Sequence, residues 1–430
     1  MLIKNASWLD ISNSVLRGNI LVKNCRIADI SPEVNNSWQF SSTIDASDKL
    51  LMPGCIDPHV HFRQPGQFYK EGIKNGSRAA LYGGVTTVLD MPNNKPPCNN
   101  GEVFCIKNKL FQKYSLVNWG LHVLPGNYKN AKYASIKIFF SAAGGSKVVK
   151  SANELAELFE NYNRFTFHVE DEDYFLSQEN CPHHEKRPRT AILSGLSRIE
   201  HALKIFSEKN PSSPLPEIIL LHVSTIEELD WLSKMRKKGV SVAAETAPHY
   251  LFFTQDDVMK SFGMLQVNPP IREETDRLAL LAAINDGSIQ FIGSDHAPHS
   301  PEEKQSPAPP SGVPGIESFG SLLLKLYEEK LIGISKLIEL ACSNSAKHYS
   351  IKDRDGIKIG NFADLVLYKK TIPGDKSATI VTKAGYNPWQ KFSFPWKVDT
   401  AIVNGTVSLC KEKWLNFNNS KEVYENCQSL

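Results

Sequence analysis

His59 and His61 stand two apart at the end of an apolar run, in Asp57-Pro-His-Val-His-Phe-Arg. On an extended segment, residues two apart point to the same side. Two imidazoles aimed at one point suit a transition metal, although a pair of hydrogen-bonded surface histidines has the same spacing. Three more residues share this placement. His168 closes Phe165-Thr-Phe-His, His222 closes Ile218-Ile-Leu-Leu-His, and Asp295 follows Phe291-Ile-Gly-Ser. Any one of them could be a satisfied core or loop residue. All of them at ends of different β-like runs point to a metal site. Lys137 is a different case, lying inside the apolar run Ser135-Ile-Lys-Ile-Phe-Phe, where it alternates against Ile136 and Ile138. A buried ammonium without compensation is costly, so Lys137 must be salt-bridged, deprotonated or modified. Carboxylation by CO2 would turn it into a carboxylate able to bridge two metals.

The elements that must position these residues follow from the pattern. Between residues 51 and 294, short β-branched runs alternate with longer stretches of helical spacing, which signals βα units and a parallel sheet. Strands are predicted near 51–57, 85–91, 117–123, 135–140, 165–169, 218–222, 241–246 and 289–294, with the clearest helices over 153–162, 189–207 and 226–238. Eight such units suit a (β/α)8 TIM-type barrel, whose chemistry sits at the C-terminal ends of the strands. A doubly wound sheet fits less well, because no glycine-rich phosphate loop follows the first strand. The two ends of the chain have another texture. Residues 1–50 and 356–410 alternate in short β-like runs such as Asn19-Ile-Leu-Val-Lys, Ala363-Asp-Leu-Val-Leu-Tyr, Ala378-Thr-Ile-Val-Thr and Thr400-Ala-Ile-Val-Asn-Gly-Thr-Val. Together they predict a small β-sandwich formed by both termini. The expected organisation is therefore 1–50 for the first part of the small β domain, 51–350 for the barrel and 351–430 for the second part. The Pro-, Gly- and Ser-rich stretch 300–315 reads as a long loop.

Composition narrows the class. The chain has 430 residues, 41% hydrophobic and 22% charged, which excludes disordered and collagen-like proteins. Lys+Arg 49 against Asp+Glu 46 leaves a net charge of +3, no electrostatic footprint for nucleic acid or a membrane surface. No uninterrupted apolar run approaches the ~18 residues of a spanning helix. The start lacks the layout of a signal peptide. Eight cysteines without a CxxC pair read as reduced thiols of a cytoplasmic protein.

These residues resemble the amidohydrolase superfamily and, within it, the dihydroorotase family. The likeness runs from about Met52 to Gly405. It is carried by Pro53-Gly-Cys-Ile-Asp-Pro-His-Val-His-Phe-Arg, Gly83-Gly-Val-Thr-Thr-Val-Leu-Asp-Met-Pro-Asn, His168-Val-Glu-Asp-Glu, His222-Val-Ser-Thr, Asn268-Pro-Pro-Ile-Arg, Gly293-Ser-Asp-His-Ala-Pro-His, Thr382-Lys-Ala-Gly-Tyr-Asn-Pro and Val403-Asn-Gly.

The resemblance implies a set of roles. His59, His61 and Asp295 would hold one zinc, His168 and His222 a second, and N6-carboxylated Lys137 would bridge both. Some relatives bridge with an aspartate, but Lys137-Ile-Phe-Phe-Ser-Ala-Ala-Gly-Gly matches the lysine type better. Arg63, Asn93 and His299 would grip the exocyclic carboxylate of L-dihydroorotate, a natural partner for a planar guanidinium. His61, Asn268, Ser311 and Gly312 would complete the substrate contacts by analogy. The implied reaction is the reversible cyclisation of N-carbamoyl-L-aspartate to L-dihydroorotate in pyrimidine synthesis, with Asp295 carrying the proton. Barrels of the family often form homodimers, and association with aspartate carbamoyltransferase is a further expectation. Two departures stand out: Gln64 replaces the usual acid after the arginine, and Ser311 stands where many relatives carry a larger residue.

Two rival readings remain. A dihydropyrimidinase, hydantoinase or allantoinase would act on rings without the carboxylate, and such enzymes usually lack this Arg and Asn. A non-catalytic scaffold relative commonly loses metal ligands, whereas all six are kept here. The other polar residues read as structural: His183 and His184 as an exposed loop, His249 and His296 as packing residues, Lys234-Met-Arg-Lys-Lys as a solvated helix face, and Glu170 as a residue orienting a ligand.

Overall fold

A computed structural model of the chain describes residues 1–10, 12–129, 131–142, 148–177, 181–372, 374, 380–415 and 419–424. Eight parallel strands carry the centre of the molecule. Cys55–Val60, Val85–Asp90 and Asn118–Leu121 form one three-stranded arc. Ile136–Phe139, Arg164–His168, Glu217–Leu220, Val242–Thr246 and Phe291–Ile292 form a second arc, of five strands. Parallel bridges Val123–Ile136 and Val60–His296 join the arcs at both ends and close the barrel. The predicted barrel is thus the observed one. Its strands are almost wholly buried because helices cover the outside and side chains fill the inside.

The helices form for legible reasons. Arg189–Lys209 buries Ile192, Leu196, Ile199, Leu203 and Phe206, a stripe at spacings of four and three. Ile226–Lys237 starts at Thr225, whose hydroxyl accepts from the Glu228 N–H while Glu228 reaches back to the Thr225 backbone. The chain then needs a sharp reversal from helix Ile73–Tyr82 into strand Val85–Asp90. Gly84 provides it at φ +74°, where a side chain would also meet the Tyr368 hydroxyl.

The termini build one nine-stranded sheet. Its path runs Lys413–Trp414, Thr406–Cys410, Trp396–Val403, Leu365–Lys370, Lys49–Pro53, Leu2–Asp10, Ser14–Lys23 and Arg26–Ser31, with Thr43–Asp45 paired beside Leu2–Asp10. Lys49–Pro53 and Leu365–Lys370 pair antiparallel and stitch the two ends of the chain together. On these strands Leu51, Leu365 and Leu367 face the sheet's own core, while Met52, Val366 and Tyr368 face the barrel. Both faces are buried over Leu50–Pro53 and Leu365–Tyr368, which is why these runs are apolar rather than alternating.

Some expectations need correction. The run predicted at 51–57 is two strands: Lys49–Pro53 belongs to the terminal sheet and Cys55–Val60 to the barrel. A continuous apolar run cannot reveal where the chain changes sheet. Of Ala378-Thr-Ile-Val-Thr, residues 378 and 379 lie outside the described residues and 380–382 form no strand. Gly144 and Gly145 also lie outside them. The stretch 300–315, expected to be a long loop, is not loop throughout. It contains the short helix Pro301–Lys304, capped by Ser300 with Glu303, and a bridge between Val313 and His296. The Lys234–Lys238 face is only partly solvated, because Met235 is buried and Arg236 donates to the carbonyls of Val242 and Ser288. No helix among the described residues is long and apolar enough to cross a membrane.

Candidate active site

All twelve sequence-predicted site residues line one cavity of about 490 Å³, at the C-terminal mouth of the barrel. His59 is the fifth residue of its strand and His61 follows its end. His168 is the last residue of Arg164–His168, His222 lies two beyond Leu220 and Asp295 three beyond Ile292. Strand closure therefore brings these five residues, from the ends of four strands, to one point.

The imidazoles form two groups. Nε2 of His59 and Nε2 of His61 lie 3.2 and 3.1 Å from Oδ1 of Asp295. These three residues form a buried group that could hold a metal ion. Beside it, Nδ1 of His168 and Nε2 of His222 face each other at 2.9 Å. The two groups adjoin, with the His59 and His222 ring centres 5.5 Å apart. Burial pushes the His59 imidazole down to about 4, and it drives His61, His168 and His222 below their ordinary value as well. All four rings are neutral near pH 7, the state in which a ring nitrogen offers a lone pair to a metal.

Lys137 lies between the groups. Its neighbours Ile136 and Ile138 pack in the barrel core, while its ammonium sits over the Phe139 ring, 4.8 Å from the centroid. Burial pushes this amine down to about 7, against the opposing pull of Glu245 and Asp295. A neutral amine is the form that CO2 can carboxylate, so the residue fits a bridging role. The Nδ1 atom of His222 is buried with no hydrogen-bond partner among the described residues.

Partners behind the rings aim them. Nδ1 of His59 lies 2.7 Å from Oε1 of Glu245. Nε2 of His168 lies 3.0 Å from Glu170, which Arg187 grips through two nitrogens. Such outer carboxylates fix the ring orientation of a metal-binding histidine. Glu170 orients a ring, as the sequence indicated. Glu245 was missed, although its signal matches that of Lys137: a lone charge inside the apolar strand Val242–Thr246. His122 was missed too, and it props the first strand by contacting the carbonyl of Pro58 at 3.0 Å.

The other side of the cavity is cationic. Arg63 Nη1 donates to the Asn93 carbonyl at 3.3 Å. The Asn93 amide oxygen accepts from His61 Nδ1 at 2.7 Å, which leaves its NH2 group for a ligand. His299 Nδ1 lies 2.9 Å from the Lys70 ammonium. Ser311 and Gly312 line the cavity next to His299, whose Cδ2 lies 3.3 Å from where a Cβ on Gly312 would sit. Gly312 has φ +131°, and a side chain there would collide with the Ala297 carbonyl. The wall is held from behind by Lys304, fully buried, which donates to the carbonyls of Gln266, Pro310 and Gly312 at 2.8, 2.9 and 2.9 Å.

A buried pair ties the two ligand-bearing loops together. Asp90 accepts from the Phe62 N–H at 2.8 Å, between His61 and Arg63. Lys107 lies 2.6 Å from Asp90 and donates to Met91 O and Asn94 Oδ1 at 2.6 and 2.8 Å, on either side of Asn93. Neither residue stands out in the sequence, where Lys107 looks like one more helix-surface lysine.

Three site residues, Arg63, His222 and Asp295, have φ of +60°, +41° and +46°. Non-glycine residues seldom adopt this region, and strain of this kind gathers at functional sites. His183 is not in an exposed loop. It begins the short helix His183–Lys186, and its Nε2 lies 3.0 Å from both Val267 O and Asn268 Oδ1, so it positions Asn268. His249 is fully buried, and His296 receives the Gly315 N–H at 3.2 Å, orienting the loop. Gln64 turns away from the cavity and accepts from the Ile73 N–H at 3.0 Å, at the start of helix Ile73–Tyr82.

Comparison with known proteins agrees with this geometry. Residues 50–168 and 215–407 match the Amidohydrolase family. A dihydroorotase from Pyrococcus furiosus is 33% identical over 365 residues, covering 84% of this chain and 82% of the relative. A dihydroorotase from Endomicrobium trichonymphae is 30% identical over 429 residues, covering 94% of this chain and 98% of the relative. Among solved structures, the L-hydantoinase (dihydropyrimidinase) from Arthrobacter aurescens superposes with a TM-score of 0.88 at 24% identity, over 99% of each chain. That likeness shows the shared fold. Matched over most of its length by the family and by relatives at these identities, the chain belongs to the amidohydrolase family, in its dihydroorotase branch.

Proposed function

We propose that the protein is a zinc-dependent dihydroorotase, interconverting N-carbamoyl-L-aspartate and L-dihydroorotate in pyrimidine synthesis. The observation that carries this reading is that Arg63, Asn93 and His299 line the same cavity as the histidine and aspartate cluster. A ring gripped by its carboxylate at the first group presents its amide to the second.

His59, His61 and Asp295 would hold one zinc, His168 and His222 the other, with carboxylated Lys137 between them. Bound there, the metals supply polarisation of the ring amide carbonyl and lower the pKa of the attacking water. The protein's own groups do the rest. Arg63 offers the carboxylate a planar fork, and the Asn93 NH2 and His299 ring add further donors. This grip fixes the distance between the amide and Asp295 and removes the entropy cost of finding it. Asp295 takes the proton from the attacking water and delivers it to the departing ring nitrogen. In the cyclisation direction the same carboxylate removes the proton from the carbamoyl nitrogen.

The test is hydrolysis of L-dihydroorotate by the purified protein, with dihydrouracil and allantoin run beside it and metal content measured on the same sample. Turnover of dihydroorotate alone, with about two zincs per chain as a binuclear site requires, supports the reading. Turnover of the uncarboxylated rings overturns the substrate assignment.

A further inference from the structure

Lys70 has no place in the reaction as described, yet it lies at the cavity wall with 13% of its side chain exposed. It follows the loop that carries Arg63. Its ammonium sits between two acceptors: Nδ1 of His299 at 2.9 Å and Oε1 of Glu303 at 3.1 Å. An ammonium has three donors and no acceptor. Next to it, Nδ1 of His299 must present its lone pair, so the single proton of the neutral ring is on Nε2.

The groups facing His299 keep the ring neutral. Burial pushes its pKa down to about 4, and Lys70, Arg63 and Lys304 add to that push, with Glu303 opposing. Lys70 comes from the loop after the first barrel strand, Arg63 from that strand's end, and Lys304 and Glu303 from the short helix Pro301–Lys304. Cδ2 of the ring, the atom bonded to Nε2, lies 3.3 Å from where a Cβ on Gly312 would sit, and both residues line the cavity. A neutral ring with the proton on Nε2 is a donor to an anion in the cavity. The other tautomer would turn a lone pair toward it.

We propose that Lys70 is a positioning residue that fixes His299 as its Nε2–H tautomer, and so makes the ring a donor to the substrate carboxylate. The inference rests on the reading of this wall as the carboxylate site. Without Lys70, Nδ1 still has a carboxylate oxygen beside it, Oε2 of Glu303 at 3.4 Å. A carboxylate draws the ring proton onto Nδ1, and the lone pair of Nε2 then faces the substrate.

The test combines nitrogen NMR of histidine-labelled protein with steady-state kinetics. The His299 signals are assigned by difference from His299→Asn. In the unaltered protein, Nε2 should carry the proton and Nδ1 should not; a protonated Nδ1 overturns the proposal. In Lys70→Met, the proton should move to Nδ1, and KM for dihydroorotate should rise roughly tenfold to a hundredfold, as loss of a charge-assisted donor implies. The loss should fall on KM rather than kcat. That KM should recover as pH is lowered, since a doubly protonated ring donates from Nε2 again. A merely structural lysine would not give that recovery. Lys70→Arg, which keeps a donor-only cation, should hold the tautomer and keep KM within a few-fold. An arginine variant as impaired as the methionine one overturns the proposal, as does an unchanged KM with a moved proton. If the protein does not turn over dihydroorotate, the substrate reading fails, while the nitrogen signals still judge the role of Lys70.

Discussion

Oδ1 of Asn93 lies 2.7 Å from Nδ1 of His61, so a side chain assigned to the substrate carboxylate also holds a ring assigned to the metal. The two halves of the proposed chemistry meet in this one hydrogen bond. The amide oxygen fixes the ring with its Nε2 lone pair toward Asp295, and the amide NH2 remains for the ligand.

Asn93→Ala should therefore harm two measurements at once. KM for dihydroorotate should rise about tenfold or more through loss of a donor to a charged group. Zinc affinity should fall by about 10–100-fold, as for other partners of metal-binding histidines. A chelator competition and a kinetic series on the same preparation check both. A rise in KM with metal affinity intact would show that His61 needs no such support.

Asp295→Asn keeps the shape of the site but removes the proton carrier. Turnover should fall by at least about 10²–10⁴-fold, the usual contribution of a positioned acid or base. Binding of dihydroorotate should remain measurable by calorimetry. A variant with near-normal turnover would reject the role.

Lys107→Met leaves the Asp90 carboxylate buried without its cation. Breaking one side of a buried pair costs about 3–5 kcal/mol. The variant should unfold at lower denaturant concentration, and it should lose activity because Asp90 and Lys107 hold the loops bearing His61, Arg63 and Asn93. Asp90→Asn combined with Lys107→Met should recover part of the stability, since no unpaired charge remains. Denaturant titrations of the single and double variants decide this.

Acid should destabilise the protein in a defined window. Burial pushes His183 and His249 down to about 4. A ring neutral in the fold and with a depressed pKa gives stability that is present above its unfolded value of ~6.5. As pH falls from there toward about 4, the unfolded chain takes up protons that the folded one does not. Each such ring lowers stability by about 1.4 kcal/mol per pH unit inside that window. Unfolding midpoints measured from pH 7.5 to 5 should fall accordingly, and His183→Asn should make the slope shallower.

The sequence by itself determined the barrel, the terminal β-structure and the residues that gather at the strand ends. Period-two spacing put His59 and His61 on one side of a strand, and alternation set Lys137 against two buried isoleucines. These are local properties, readable within a few residues. Only the tertiary structure decided what stands behind and beside them. Glu245 meets His59 across 186 positions of chain, and Lys70 meets His299 across 229. Such pairs depend on which strands adjoin when the barrel closes, and on loop paths that no local pattern encodes. The positive φ of Arg63, His222 and Asp295 belongs to the same class. Their residue types disfavour it, and the surrounding packing imposes it.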